Sequence, residues 1–178
     1  MHKLNRVIFC SGLLIAAVLG FALTVFAQQV KDLNNTRFDY SVKYPANYQL
    51  KTYGLVVAFI SPETDKKFSF SPSINIAVET LKAPLPTLED FFARSKANLT
   101  FGGNKAQVLE EKKEKLGGAD CYRIKYTSKQ KQAVFKLEQV LAIHGGRAYV
   151  ITYTALLDQF DRGLAQANGV IKSFKFTD

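Results

Sequence analysis

Apolar and polar residues alternate strictly between positions 38 and 44. The apolar members of this stretch are Phe38, Tyr40, Val42 and Tyr44, and polar residues fill the positions between them. A period of two indicates a β-strand with one buried face, because successive side chains of a strand point to opposite sides. We therefore predict a strand that ends at Pro45 and places its row of aromatic side chains in the core.

Similar runs recur along the rest of the chain and are separated by turn residues. They predict further strands at 48–51, 55–61, 74–81, 106–116, 119–128, 133–143 and 148–156. A proline-containing loop is expected at 62–73, and the glycines of His144–Arg147 favour a tight hairpin. The last of these strands is the most apolar, so we expect it to lie near the centre of a sheet.

Two segments have the period of a helix instead. Thr87 is a good N-cap, Asp90 follows three residues later, and an apolar stripe predicts a helix over 88–100 that stops before Gly102-Gly103. A second helix is predicted after Asp158, which can cap it. The apolar stripe of this second helix consists of Phe160, Leu164, Ala167 and Ile171.

The order of these elements predicts the fold class. Short turns join consecutive strands, so neighbouring strands should pair antiparallel. Two amphipathic helices need an apolar sheet face on which to bury their stripes. We therefore predict an α+β fold, an α/β/α sandwich in which an antiparallel β-sheet is braced by two amphipathic helices.

The N-terminal segment 1–27 has the features of an export signal. A basic head precedes an uncharged run over 7–27, and Val25-Phe26-Ala27 is typical of a signal-peptidase site before Gln28. The run is also long enough to span a bilayer, so a cleaved signal peptide and an N-terminal membrane anchor both remain open. Either places the rest of the protein outside the cytoplasm, in a periplasm, a lumen or the medium.

The remaining chain divides into a linker and one domain. Polar residues dominate 28–37, which we interpret as a linker, and 38–178 has the length of a single domain. Without Lys3 and Arg6 of the leader, 22 basic residues face 15 acidic ones, a net charge of +7. This charge favours an anionic partner, such as an acidic protein surface at a membrane or envelope, and nucleic acid is not expected in that compartment.

The sequence contains no recognisable catalytic or metal-binding motif. Outside the leader, Cys121 and His144 are the only cysteine and histidine, and we interpret them as a buried apolar residue and an exposed turn residue. The acids that could pair or hold calcium have no distinctive spacing; they are Asp39, Glu63, Asp65 and Glu79. We therefore predict no catalytic, cofactor or metal residues, and a protein that is not an enzyme.

The stretch 38-FDYSVKYPANY-48 resembles the opening of PsbP-like domains, an aromatic strand followed by Tyr-Pro, a spacer and an aromatic residue. Tyr48 stands where that family usually has tryptophan. Matching stretches follow in the family's order as 55-LVVAFISP-62, 74-INIAVETL-81, 87-TLEDFF-92, 119-ADCYRIKY-126, 144-HGGRAYVITYTA-155 and 173-SF-174.

The resemblance implies both a fold and a class of function. The family is similar in fold to Mog-type and DcrB-type proteins, has an α/β/α sandwich, and is mostly non-enzymatic. It implies an exported accessory protein that docks on a membrane or envelope complex, associated with photosystem II if the host is photosynthetic. Two alternatives remain open: an extracytoplasmic module that binds a small ligand or an ion such as calcium, and an unrecognised hydrolase with a buried acid pair.

Overall fold

The computed structural model describes residues 29–100 and 106–178. Within them the chain forms ten strands and two helices. Their bounds are β1 Val30–Asn35, β2 Tyr40–Pro45, β3 Gln49–Tyr53, β4 Val56–Ile60, β5 Ser73–Thr80, α1 Leu88–Thr100, β6 Gln107–Leu116, β7 Ala119–Gln130, β8 Ala133–His144, β9 Arg147–Leu156, α2 Phe160–Ser173 and β10 Lys175–Phe176. The predicted leader 1–27 and the glycines at 102 and 103 lie outside the described residues.

Seven strands form one antiparallel sheet in the order β3-β4-β5-β9-β8-β7-β6. Most neighbours are consecutive in the chain, as the short turns predicted. The hairpin between β8 and β9 turns at Gly145 and Gly146, whose positive φ angles of 52° and 73° suit the turns that glycine favours. Strand β9 is fourth of the seven, which confirms its predicted central position.

A second, three-stranded sheet has the order β1-β2-β10. It corrects the interpretation of 28–37 as a linker, because Val30–Asn35 form strand β1 and pair with β2, with Val30 opposite Pro45. Most side chains of β1 are exposed. A strand that buries so little of itself has no apolar alternation, so its sequence resembles a polar linker.

The small sheet and α2 cover one face of the large sheet. The four apolar residues of the alternating stretch are buried there, at 8%, 0%, 2% and 7% exposure for Phe38, Tyr40, Val42 and Tyr44, which confirms the prediction. The Tyr40 ring stacks on Phe174 at 5.3 Å between centroids. These rings join the two ends of the domain in one core.

Helix α2 has the predicted apolar stripe but not the predicted cap. Phe160, Ala167 and Ile171 are buried, whereas the N-cap is Gln159 and no side chain caps the helix. Instead, the backbone N–H of Gln159 donates to the carbonyl of Leu156, 3.0 Å away, in a turn that leads directly from β9 into the helix. Asp158 is an exposed residue within this turn and its side chain does not cap the helix, so its prediction as the cap is wrong.

Helix α1 lies on the opposite face of the large sheet, so the layers are helix, sheet, and helix with small sheet. Phe92 stacks on Tyr122 with 4.1 Å between ring centroids and belongs to a cluster with Ile124 and Leu141. The Asp90 amide donates to the Thr87 hydroxyl at 3.1 Å, which confirms the predicted cap. This arrangement is the predicted α+β fold and α/β/α sandwich.

Neither helix in the described ranges is both long and apolar enough to cross a membrane. The predicted span at 7–27 is not among those residues.

Two glycines of α2 provide a matched test of how closely this helix packs on the sheet. A Cβ at Gly163 would overlap the hydroxyl of Tyr153, which donates to the Phe160 carbonyl at 3.0 Å, whereas a Cβ at Gly169 meets no atom within 4 Å. We expect Gly163→Ala to lower the free energy of unfolding by about 1–3 kcal/mol, because the core is overpacked. Gly169→Ala should raise it by about 0.5–1 kcal/mol, because alanine favours the helix. Urea denaturation of both variants measures this, and equal effects would contradict the packing.

Candidate functional site

A cleft of about 910 Å³ lies between α1 and the face of the large sheet that α1 covers. We call it the α1 cleft. Its floor is formed by side chains of β7, β8 and β9, among them Tyr126, Leu137, Leu141 and Val150. Residues of α1 form one wall, and the segment that leads into α1 forms another.

The cleft exists because α1 is too narrow to cover the sheet. Helix α1 packs on β7 and β8, while the same sheet face continues across β9 and β5. On those strands Asn75, Val150 and Thr152 face the side of α1 and are only half-buried. One helix covers a width of about 10 Å, roughly two strands, so the rest of this face lacks a helical cover.

The floor of the cleft offers hydrogen-bonding groups within an apolar surface. Tyr126 is 6% exposed, and burial raises the pKa of its hydroxyl. Gln139 donates to the Thr152 hydroxyl at 3.1 Å, and Ser95 donates to the Phe91 carbonyl at 2.8 Å. Such a surface can bind a polar or amphipathic group.

Charged side chains at the rim of the cleft are mostly positive. Lys82 and Arg94 line it, are exposed, and make no ion pair with any described residue, while Glu79 is the acidic residue among the lining side chains. The lining contains no histidine, cysteine or pair of carboxylates. The cleft therefore suits binding, particularly of anions.

A buried charge cluster lies on the other side of the sheet, beneath α2. Glu138 is 1% exposed and contacts Arg123, with Lys125 3.5 Å away. Arg123 also lies 2.6 Å from Glu114 and donates to the Asn168 side chain at 3.2 Å. Among the buried side chains of the described residues, Glu138 is the only carboxylate. A carboxylate held by two cations forms a structural ion pair, and not the acid pair that the hydrolase alternative requires.

The four acids considered from the sequence do not converge. Asp39 forms an ion pair with Arg147, and Asp65 accepts from the side chain of Gln159 at 2.9 Å. Glu79 lies at the rim of the α1 cleft, and Glu63 is exposed. In the part of the chain that the structure describes, no group of three or more metal-ligating residues comes together.

Cys121 and His144 both pack against other residues of the fold. Cys121 is fully buried, as predicted, and burial raises the pKa of its thiol to about 11, so the reactive thiolate is suppressed. His144 is not the exposed turn residue that the sequence suggested. Its ring stacks on Phe176 at 4.1 Å and its Nε2 lies 2.9 Å from Asp178, because β10 returns the C-terminus to this hairpin.

The ion pairs leave a surplus of unpaired positive charge on the surface. All fifteen acidic residues lie in the described ranges, and ten of them are within 4.0 Å of a basic side chain. Twelve described lysines and arginines have no such partner. They are Lys31, Arg37, Lys51, Lys66, Lys67, Lys82, Arg94, Lys129, Lys131, Arg162, Lys172 and Lys175. The surface therefore attracts anionic groups.

No protein-family model matches the sequence, and no curated protein matches it either. Solved structures do match the fold. Cyanobacterial PsbP (CyanoP) from Synechocystis sp. PCC 6803 superposes with a TM-score of 0.62 at 15% identity, over 89% of this chain and 98% of the other. LpqN of Mycobacterium tuberculosis, which is involved in cell envelope biogenesis, gives 0.62 at 13% identity, over 84% and 91%.

A protein of unknown function from Pseudomonas aeruginosa superposes with a TM-score of 0.56 at 14% identity, over 79% of this chain and 94% of the other. The three likenesses cover 79–89% of the chain. At these identities they establish the fold and leave the activity to be argued from this chain's own residues.

The buried cluster makes a testable contribution to stability. Glu138→Gln removes the charge that compensates Arg123 and Lys125, so we expect the free energy of unfolding to fall by about 3 kcal/mol. The control is Asp161→Asn, whose exposed carboxylate lies 3.4 Å from Lys136; losing that pair should change stability by less than about 1 kcal/mol. Chemical denaturation distinguishes the two, and a Glu138→Gln effect no larger than the control would show that the cluster contributes little.

Proposed function

We propose that this chain, which has the PsbP-type fold, is a non-catalytic accessory protein that docks on an acidic surface of a membrane or envelope protein complex. The observation that carries the proposal is the imbalance of surface ion pairs. Twelve described basic side chains lack an acidic partner, against five acidic residues without a basic one. Unpaired surface cations accelerate association with acidic partners and orient it.

The compartment is part of the same proposal. The apolar run at 7–27 supports export, either as a cleaved signal or as an anchor that holds the domain at the membrane. Two of the structures that share the fold are a cyanobacterial PsbP and a protein of cell envelope biogenesis. In a photosynthetic host the complex would be photosystem II; in other bacteria it would be an envelope assembly.

Salt dependence tests the docking. The full chain, tagged at its C-terminus and immobilised, is incubated with detergent-solubilised membranes of its host at about 0.1 M and about 1 M NaCl, between which the Debye length falls from about 10 Å to about 3 Å. We expect one membrane or envelope complex to be retained at low salt and released at high salt. Retention that does not depend on salt, or no retained complex at low salt, would refute the electrostatic docking.

The α1 cleft supports a second candidate function, the binding of a small ligand. Its volume of about 910 Å³ lies within the roughly 300–1,000 Å³ typical of ligand sites. Lys82 and Arg94 at the rim favour an anionic ligand. This function can coexist with docking, because ten of the twelve unpaired cations are not part of the cleft lining.

Thermal unfolding of the full chain with calcium chloride, short-chain carboxylates and fatty acids tests the second candidate. A ligand present at 100 times its dissociation constant should stabilise the protein by about 2.7 kcal/mol. We expect Arg94→Gln to weaken an anionic ligand, and Arg162→Gln, a matched change on α2 away from the cleft, to leave it unchanged. Equal weakening by both variants would place the ligand elsewhere.

A further inference from the structure

We propose that the open edge of the large sheet at β3 is where the partner docks, and that it accepts an extended segment of the partner with an acidic side chain beside Lys51. The proposal rests on the docking function above and adds its location and the chemistry of the bound segment. It commits to strand addition, in which main-chain hydrogen bonds supply the affinity and side chains supply the specificity.

Strand β3 has the exposed main chain that strand addition requires. It is the first strand of the seven-stranded sheet and pairs with β4 on one side, while its other side has no strand among the described residues. All five of its side chains are exposed. An edge strand of this kind presents a row of unpaired N–H and C=O groups.

Apolar side chains at this edge are unusually exposed. Tyr53 is 57% exposed, Leu50 is 39% exposed, and Leu55 in the turn that follows is 49% exposed. They are three of the seven large apolar side chains that the described residues leave exposed, and they lie within six positions of one another. A partner strand would bury them, which gives the edge an apolar contribution besides its hydrogen bonds.

The opposite edge of the same sheet is protected. Strand β6 carries the charged run 110–115, its register shifts between Val108 and Glu110, and its charges are engaged by Lys96, Lys125 and residues of the run itself. Charged side chains and bulges are the features by which edge strands avoid pairing with other chains. The contrast makes β3 the accessible edge of this sheet.

Lys51 determines which kind of strand can pair with β3. It lies at the middle of the strand, it makes no ion pair with any described residue, and its cross-strand neighbour is Ala58. An acidic residue opposite it would be attracted, and a basic residue would be repelled. A second copy that pairs symmetrically about this position would place Lys51 opposite Lys51, so the edge disfavours self-association in that register.

The register also predicts the spacing of the partner's side chains. Lys51 and Tyr53 are two positions apart and therefore share one face of the sheet, while Leu50 lies on the other. A bound strand should carry an acidic residue opposite Lys51 and an apolar residue two positions along, opposite Tyr53. The partner segment is thus extended and carries an acidic and an apolar residue two positions apart, in the order apolar–any–acidic when it pairs antiparallel and acidic–any–apolar when it pairs parallel.

Hydrogen exchange on the full chain tests this directly, because an added strand protects the edge amides. The probes are two blocked nine-residue peptides of alternating threonine and valine, one with glutamate and one with lysine at the centre. We expect the glutamate peptide to slow exchange in 49–53 and to leave β6 unchanged. The lysine peptide should need a concentration at least about threefold higher for the same protection, as expected for exchanging an attractive for a repulsive cross-strand pair.

Reversing the charge of Lys51 tests the origin of the preference, and the same change at Lys172 provides the control. Lys51→Glu should reverse the preference, so that the lysine peptide protects 49–53 better than the glutamate peptide. Lys172→Glu makes the same change on an exposed, unpaired lysine of α2 and should leave the preference unchanged. Protection at the α1 cleft instead of β3, equal protection by both peptides, or a preference that Lys51→Glu does not reverse would overturn the proposal.

Two further outcomes separate this proposal from the docking on which it rests. If the full chain without peptide sediments as a dimer with protected 49–53 amides, the edge binds a second copy and the proposed partner segment is wrong. If the host complex is retained in a salt-dependent way and Lys51→Glu binds it as well as wild type, docking stands and its location at β3 is refuted. Loss of the complex with Lys51→Glu but not with Lys172→Glu supports both.

Discussion

The structure depends on covering one apolar face of the seven-stranded sheet. Strand β2 comes from the start of the domain, and α2 with β10 comes from its end. They meet over the sheet where Tyr40 stacks on Phe174 and Tyr149 approaches both rings edge-on, 6.4 Å and 5.9 Å away. The Tyr149 hydroxyl donates to the Phe38 carbonyl at 2.9 Å. Because neither end of the chain covers this face alone, the domain folds as one unit.

The two faces of the sheet differ in how completely they are covered, and this difference determines where binding can occur. Under α2 even the charged Glu138 is sealed from solvent and held by Arg123 and Lys125. Under α1 the helix spans only part of the sheet and leaves the α1 cleft. The most polar buried group is therefore structural, whereas the accessible groups are single cations, hydroxyls and an open strand edge. Groups of this kind suit the binding of a ligand or a partner.

Much of this architecture could be predicted from the sequence, and the errors have specific causes. The rows at Phe38 to Tyr44 and at Phe160 to Ile171 follow the periods of a strand and a helix, because burial on one face imposes those periods. Strand β1 was missed because it buries little. The N-cap of α2 is Gln159, one residue after the predicted Asp158, because the turn that leaves β9 includes Asp158 and the helix begins only after it. The contact of His144 with Phe176 joins residues distant in sequence.

The α+β class, the antiparallel hairpins, the buried rows and the basic character of the surface could all be predicted from the sequence, since each depends on local periodicity, turn chemistry or composition. Three other features are visible only in the fold: β2 pairs outside the large sheet, α1 packs mainly on β7 and β8, and no described strand pairs with the outer side of β3. The fold also determines which lysines form ion pairs with acidic residues. These features depend on pairings between distant segments, and a side-chain pattern records that a face is buried without recording what buries it.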